Sequence, residues 1–404
     1  MSLANCAALL EKEGHKVKIL DAHAQRMCPI QVSRFACNFD KVFVTSSSLD
    51  KWQCPNIDIN PFIETVQHLR ETNNEIYVMG YHGTVKSESI LNLTRAKAVI
   101  RGEPEATVLE ICCGNDLADI KGISFKKNGE IISTFQRDLI NLEDLPVPAF
   151  HLLDFKKYSY EILGGNFALF EISRGCKFKC KFCNKIMYGK SLRVKSKEQV
   201  LKEITVAIEE HNIKTGYFID LDFYSNESVV DEVCNYLIEK NYRFKWACQT
   251  RPDFLNIGIL KKLKKAGCQL IHLGIESSSS RLLGELNKKI DFEKAKEAVK
   301  FCRKAGIKTL GFFIFGLPGE ISQDRENTFN FAKELNVDFV SFHRMFPYLG
   351  SDIDQDNFKF DKEVDKFTRS AFIRYYLRFS YLWKINLGII LKGLRLFLGR
   401  LRTL

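Results

Sequence analysis

A chain of 404 residues with 45% hydrophobic and 27% charged residues has the composition of a folded globular protein about two or three domains long. That excludes a disordered or low-complexity chain. The net charge of +11 is uneven, because residues 366–404 hold nine Lys/Arg and no Asp/Glu, leaving +2 for residues 1–365; a nucleic-acid footprint spread over the body is thereby excluded.

The first 133 residues alternate helix and strand signals. An amphipathic helix closes on Leu9–Leu10–Glu11–Lys12 and stops at Gly14, and Val17–Lys18–Ile19–Leu20 then reads as a strand. Lys41–Thr45 reads as a second strand, Pro61–Thr72 as a helix, and Glu75–Met79 as a third strand ending at Gly80. Ala98–Ile100 and a helix through Leu109–Cys112 follow. Asn128–Gly129 predicts a hairpin turn between Ile123–Phe125 and Ile131–Ile132. Alternation of this kind predicts a parallel sheet with helices on both faces, an α/β architecture.

Residues 134–166, with Pro146 and Pro148 and no sustained period, read as an inter-domain linker. Strand–helix alternation then resumes, with strands at Ala168–Ile172, Gly216–Asp220, Phe244–Gln249, Leu270–Gly274, Thr309–Phe315 and Asp338–Phe342. Six βα units in one run predict a partial (β/α)6 barrel with its chemistry at the carboxyl ends of the strands. Four segments result: 1–133, a linker over 134–166, a barrel over 167–352, and a basic helical tail over 353–404.

The chemistry-bearing motif is Ser173–Arg174–Gly175–Cys176–Lys177–Phe178–Lys179–Cys180–Lys181–Phe182–Cys183–Asn184, on the loop after the first barrel strand. Thirteen cysteines run from Cys6 to Cys302 with no secretory pattern after Met1, so they read as reduced thiols in the cytoplasm, most of them packing residues. Cys176, Cys180 and Cys183 stand apart. Three thiolates leave one iron of a [4Fe-4S] cluster open to a substrate. A structural zinc site would need a fourth ligand, for which His211 and Cys234 are the nearest candidates.

Residues 168–350 resemble a radical S-adenosylmethionine (radical SAM) core. The resemblance implies that Cys176, Cys180 and Cys183 hold the cluster and that Phe182 lies beside adenine. It further implies that Asp220 and Asp222 face the methionine amine, Arg251 its carboxylate, Glu276 the ribose, and Gly316 within GFFIFGLPGE the adenine. Pro347–Ser351 resembles the family's closing turn. The implied chemistry is reductive cleavage of S-adenosylmethionine to a 5′-deoxyadenosyl radical, with a flavodoxin- or ferredoxin-type electron donor.

Residues 2–113 resemble the flavodoxin-type, Rossmann-like cobalamin-binding domain fused ahead of one class of these enzymes, entered after its first strand. The matching pieces include Gly14–Ala22, Val44–Ser48, Gly80–Thr84 and Arg101–Thr107. The resemblance implies cobalamin contacts at Ser46, Ser47, Ser48, Gly80, His82, Gly83 and Thr84. His23 lacks the D-x-H-x-x-G context of a cobalt ligand and reads as a loop residue.

The tail offers seven uncharged residues between Lys384 and Lys392, against about 20 for a membrane span. Its mixture of apolar and cationic residues suits either a helical cover on the barrel or a peripheral contact with anionic lipid. The resemblance implies cobalamin-dependent methylation or rearrangement of an unactivated carbon in a small molecule or lipid. The alternatives are an oxidative cyclase or other oxidoreductase, a methylthiotransferase without working cobalamin, and an electron-transfer or scaffold protein.

Overall fold

The computed structural model describes residues 1–46, 58–72, 74–353, 358, 361–378 and 381. The N-terminal part comprises α1 (Ser2–Lys12), α2 (Pro29–Ala36), β1 (Lys41–Thr45), α3 (Asn60–Leu69), β2 (Glu75–Met79) and α4 (Tyr81–Val85). It continues with α5 (Ser87–Thr94), β3 (Ala98–Ile100), α6 (Glu105–Cys112), β4 (Ile123–Lys127) and β5 (Glu130–Ser133). These strands form one sheet in the order β1-β2-β3-β4-β5. The first three are parallel, and β4 and β5 add an antiparallel edge. The hairpin between them turns on Asn128 and Gly129, both at positive φ (53° and 88°), as a tight two-residue turn requires.

Period-2 alternation along β2 explains the layers. Tyr77 and Met79 face a cluster with Cys6, Leu10, Val108 and Ile111 of α1 and α6. Ile76 and Val78 face Val32, Val66, Leu69 and Leu91 of α2, α3 and α5. Both faces are covered, as a sheet with crossover helices demands.

The expected strand at Val17–Leu20 does not form; residues 15–20 are without regular structure. Their side chains are used all the same, with Val17 and Ile19 packing by Ala7, Ala8 and Ala149. Leu20 packs in the opposite cluster. The apolar signal was real, but it serves packing and joins no ladder.

The expected linker is an ordered strap. Short 3₁₀ turns at Leu142–Asp144, Phe150–Leu152 and Phe155–Lys157 precede a hairpin of β6 (Ser159–Tyr160) and β7 (Gly164–Gly165). Phe150 and Phe155 enter the barrel core, while Leu142 and Leu145 pack on Leu9 of α1. Prolines and irregular spacing hid this, because 3₁₀ turns carry no long period.

The second part runs β8 (Phe167–Phe170), β9 (Ser173–Arg174), β10 (Arg193–Val194), α7 (Lys197–Glu209), β11 (Thr215–Phe218), α8 (Glu227–Glu239) and β12 (Lys245–Thr250). It continues α9 (Ile257–Lys265), β13 (Cys268–Glu276), α10 (Ser280–Glu285), α11 (Phe292–Ala305), β14 (Lys308–Phe315), α12 (Ser322–Leu335), β15 (Phe339–Arg344) and α13 (Lys362–Tyr376). Six parallel strands follow the order β8-β11-β12-β13-β14-β15, the expected α/β partial barrel. A single core including Phe170, Phe218, Trp246, Ile271 and Phe313 joins the sheet to its outer helices.

The described part of the tail covers the barrel. Tyr375 donates to the Val337 carbonyl at 2.8 Å, and Arg374 makes two 3.1 Å bonds to Glu326 while lying over the Phe329 ring. No helix among the described residues is long and apolar enough to cross a membrane.

Candidate active site

The loop after β8 is fixed residue by residue before its first cysteine. Asp220, just beyond β11, accepts bonds from the Ser173 N–H and hydroxyl, both 2.6 Å, and from the Ile172 N–H at 3.2 Å. Arg174 is enclosed by three carboxylates, those of Glu171, Glu103 and Glu105. Gly175 stands at φ +80°, where a Cβ would meet the Ser191 carbonyl oxygen at 1.9 Å, so no other residue fits.

Cys176 is buried, and Cys180 and Cys183 are partly exposed. Burial pushes the Cys183 thiol up to about 12, opposed by the nearby Lys185 ammonium; burial also raises Cys176. These thiols become ligands only where a metal stabilises the thiolate. Among the described residues no three His, Cys, Asp or Glu side chains close on a single ion. Cys176, Cys180 and Cys183 share one eight-residue loop, and the cluster assignment rests on that spacing. The candidate fourth zinc ligands lie elsewhere: Cys234 is in the barrel core, and His211 packs by Phe150 beyond the end of α7.

The loop is then stitched across the barrel mouth. The Lys181 N–H donates to the Leu286 carbonyl at 3.0 Å, and its carbonyl accepts from Asp352 N–H at 2.8 Å. Lys185 folds back onto the Phe178 carbonyl. Phe182 lies with Leu282, Leu286, Ile314, Leu317 and Met345, which brings it to the GFFIFGLPGE segment.

Glu276 ends β13 at φ +67°, a strained conformation for a glutamate. Its carboxylate is held by Lys288 at 2.7 Å, and the same ammonium lies 5.6 Å from the Phe182 ring centre. Phe182, Glu276 and Lys288 therefore stand together, and Phe182 also meets Leu317, the chain neighbour of Gly316. Lys288 escaped the sequence reading because nothing local marks a lysine twelve residues past its partner.

The two aspartates and Arg251 are occupied internally. Asp222 accepts from the Thr250 hydroxyl at 2.6 Å, the Ser225 hydroxyl at 2.7 Å and the Arg251 N–H at 3.2 Å. Arg251 lies over the Phe178 ring at 4.3 Å and bonds Asp253 and the Lys289 carbonyl. Both aspartates are buried, and these contacts pin the cluster loop to its neighbouring strand ends.

Gly316 is held from below by Glu320, whose carboxylate accepts its N–H at 2.6 Å. The Glu320 side chain is 1% exposed, and burial pushes its carboxyl up to about 7, with the Gly316 N–H and Arg325 opposing. A raised carboxyl pKa means that the folded state keeps a proton that the unfolded chain releases, so stability falls as pH rises from about 4.5 to about 7. The Glu320→Gln protein should therefore lose less melting temperature than the parent between pH 5 and pH 7.5. Equal losses in thermal melts would refute this.

In the N-terminal part, Ser46, Gly80 and His82 meet at the carboxyl ends of β1 and β2. The Ser46 Oγ accepts the His82 N–H at 3.2 Å and lies 3.2 Å from its Nδ1. Gly80, at φ +99°, approaches so closely that a Cβ would lie 3.0 Å from both the Ser46 and Thr45 hydroxyl oxygens. Thr84 donates to the Met187 sulfur at 3.1 Å, and Tyr81 donates to the Leu349 carbonyl at 2.9 Å. Ser47 and Ser48 lie outside the described residues, and His23 is exposed on a turn, as expected of a loop histidine.

A six-stranded parallel half-barrel with a three-cysteine loop after its first strand defines an enzyme working at strand carboxyl ends. The radical SAM superfamily model matches residues 170–332. The chain is 31% identical over 365 residues to an uncharacterized methyltransferase, PH0819, from Pyrococcus horikoshii, covering 87% of this chain and 76% of that protein. It is 28% identical over 307 residues to the anaerobic magnesium-protoporphyrin IX monomethyl ester cyclase of Rubrivivax gelatinosus, covering 72% of this chain but 55% of the cyclase. The radical SAM methyltransferase TsrM from Kitasatospora setae, solved with cobalamin and a [4Fe-4S] cluster, superposes with a TM-score of 0.71 at 17% identity, covering 87% of this chain and 71% of that one. The chain belongs to the radical SAM superfamily. Membership implies a [4Fe-4S] cluster and S-adenosylmethionine as cofactors.

Proposed function

We propose that this radical SAM enzyme is cobalamin-dependent and methylates or rearranges an unactivated carbon of a small-molecule or lipid substrate. One observation carries the reading: Thr84 and Tyr81, at the edge that resembles a corrin site, touch Met187 and Leu349 of the barrel mouth. A group held along Ser46, Gly80, His82, Gly83 and Thr84 would stand over the same mouth as the cluster loop. Ser46 offers a hydroxyl there, and Gly80 lets the chain pass close to it, whereas a Cβ on Gly83 would meet Val99 of the sheet. A methyltransferase among the relatives and a cobalamin-bound structural neighbour favour the same reading.

Cys176, Cys180 and Cys183 would hold the cluster, which when bound supplies one electron to S-adenosylmethionine. Phe182, Glu276, Lys288 and Gly316 would line the nucleoside side, with the Lys288 ammonium holding the Glu276 carboxylate in place. Asp220, Asp222 and Arg251 would act chiefly by holding the loop, since the two carboxylates and the Arg251 Nη2 are engaged within the protein, while the buried Arg251 Nε has no hydrogen-bond partner among the described residues. The functional division would be 1–133 for cobalamin and 167–352 for radical generation, with the strap 134–166 between them and a flavodoxin- or ferredoxin-type donor outside. A lipid-facing role for residues 353–404 concerns mostly positions outside the described residues.

The deciding experiment is spectroscopic. Anaerobically reconstituted protein incubated with hydroxocobalamin and then desalted should retain the corrin absorption near stoichiometry. Protein emerging colourless at those wavelengths would remove cobalamin from the mechanism and favour the second reading, an oxidative cyclase, which the cyclase relative supports.

A further inference from the structure

Where the N-terminal part meets the barrel, one buried cation gathers carboxylates from three places. The Arg174 side chain is fully buried; its Nε binds Glu171 at 3.1 Å, its Nη1 binds Glu103 at 3.0 Å and its Nη2 binds Glu105 at 2.6 Å. Glu171 follows β8, whereas Glu103 and Glu105 belong to the turn and first helical residue after β3. Glu103 is itself fixed by Arg193 at 2.6 Å and by the Ile140 N–H at 2.9 Å. The Tyr188 ring lies 5.1 Å from the Arg174 guanidinium.

A cheaper interface was available. Burying ions costs several kcal/mol each, and apolar side chains of the same volume often stabilise as well or better. A fork of fixed donors, however, sets position and angle as an apolar contact cannot. Arg174 is two residues from Cys176, and the loop at this point is held by antiparallel pairing of Ser173 and Arg174 with Val194 and Arg193. A displacement of Glu103 or Glu105 is thus delivered to the first cysteine with little slack. The link continues outward: the Gly102 N–H donates at 2.9 Å to Thr84, the residue that also touches Met187.

We propose that Glu103 and Glu105 are positioning residues for the iron–sulfur cluster, acting through Arg174, so that the state of the N-terminal part is felt at the cluster. This rests on the radical SAM and cobalamin reading above. It adds that two carboxylates outside the barrel set the orientation of the cluster loop.

The test uses the full chain, anaerobically reconstituted, and two variants that each neutralise one buried carboxylate. Glu105→Gln weakens the clamp; Glu203→Gln breaks the equally buried Lys195–Glu203 pair (2.7 Å), which is one ion pair removed from Arg174, since Lys195 also lies 3.8 Å from Glu171. The Glu105→Gln protein should bind iron at the parental level, yet show altered g-values for the reduced cluster with S-adenosylmethionine. Its 5′-deoxyadenosine formation should fall at least about tenfold, a loss of about 1.4 kcal/mol in barrier terms. The Glu203→Gln protein should lose melting temperature while keeping parental spectrum and rate. Parental g-values in Glu105→Gln, or the same spectral change in Glu203→Gln, would overturn the proposal. Should Glu105→Gln fail to fold, Glu103→Gln, which retains Arg193 beside it, is read in the same way. A parent that binds iron but cleaves no S-adenosylmethionine would count against the enzymatic reading, while the spectra would still decide the clamp.

Discussion

Replacing Cys180 with alanine should leave the anaerobically reconstituted protein without its cluster and bring 5′-deoxyadenosine formation down to background. Cys180 is only partly buried, so truncating it should cost at most about 1 kcal/mol of folding stability. The expected signature is therefore a normal melt with lost iron, lost absorption near 400 nm and lost S-adenosylmethionine cleavage. A folded Cys180→Ala protein that still forms 5′-deoxyadenosine at the parental rate would sink the ligand assignment. The remaining two thiols could still bind stray iron, so the rate decides rather than the iron content.

Gly175→Ala should be the most damaging single-methyl change in the loop. A non-glycine residue at left-handed φ costs about 1–2 kcal/mol, and overpacking adds about 1–3 kcal/mol. Here the added carbon would meet the Ser191 carbonyl oxygen at 1.9 Å, against backbone rather than a flexible side chain. Relief requires either Gly175 or the 189–191 segment to move, and Gly175 is bonded directly to Cys176. Expected results are a loss of about 2–5 kcal/mol in denaturant unfolding and a several-fold drop in iron uptake. As a contrast, Gly284 has no atom within 4 Å of a Cβ, and alanine there should be tolerated. Equal tolerance at both positions would show that the loop is softer than its contacts imply.

Much of this site was legible before any coordinates. The cysteine spacing, the strand-end order of Asp220, Arg251, Glu276 and Gly316, and the six βα units all rest on local patterns that survive folding. Phe182 was singled out only by the family resemblance, since Phe178 in the same loop packs on Phe254 instead. What could not be read is where polar groups spend their bonds. Asp220 looks like a ligand-facing acid in sequence, yet its oxygens hold Ile172 and Ser173, 48 and 47 residues earlier. The Arg174 clamp spans a separation of 71 residues to Glu103 and 69 to Glu105, and no periodicity reports such a distance. Val17–Leu20 failed for the opposite reason: its apolar pattern was satisfied by packing alone, without a ladder.

The first helix carries a consequence for how the chain is made. Its Ser2 hydroxyl lies 3.0 Å from the hydroxyl of Tyr188, a partner 186 residues downstream, and Ala7 and Ala8 pack on Ala149 of the strap. At ribosomal rates of about 5–20 residues per second, roughly 10–40 s pass before Tyr188 is synthesised. During that interval the Ser2 end of α1 lacks its Tyr188 partner, while Ala7 and Ala8 already meet Val17 and Ile19 and then Ala149. The Ser2–Tyr188 contact is therefore the late one, closed only when the cluster loop has been made, after α1 has packed on Val17, Ile19 and Ala149.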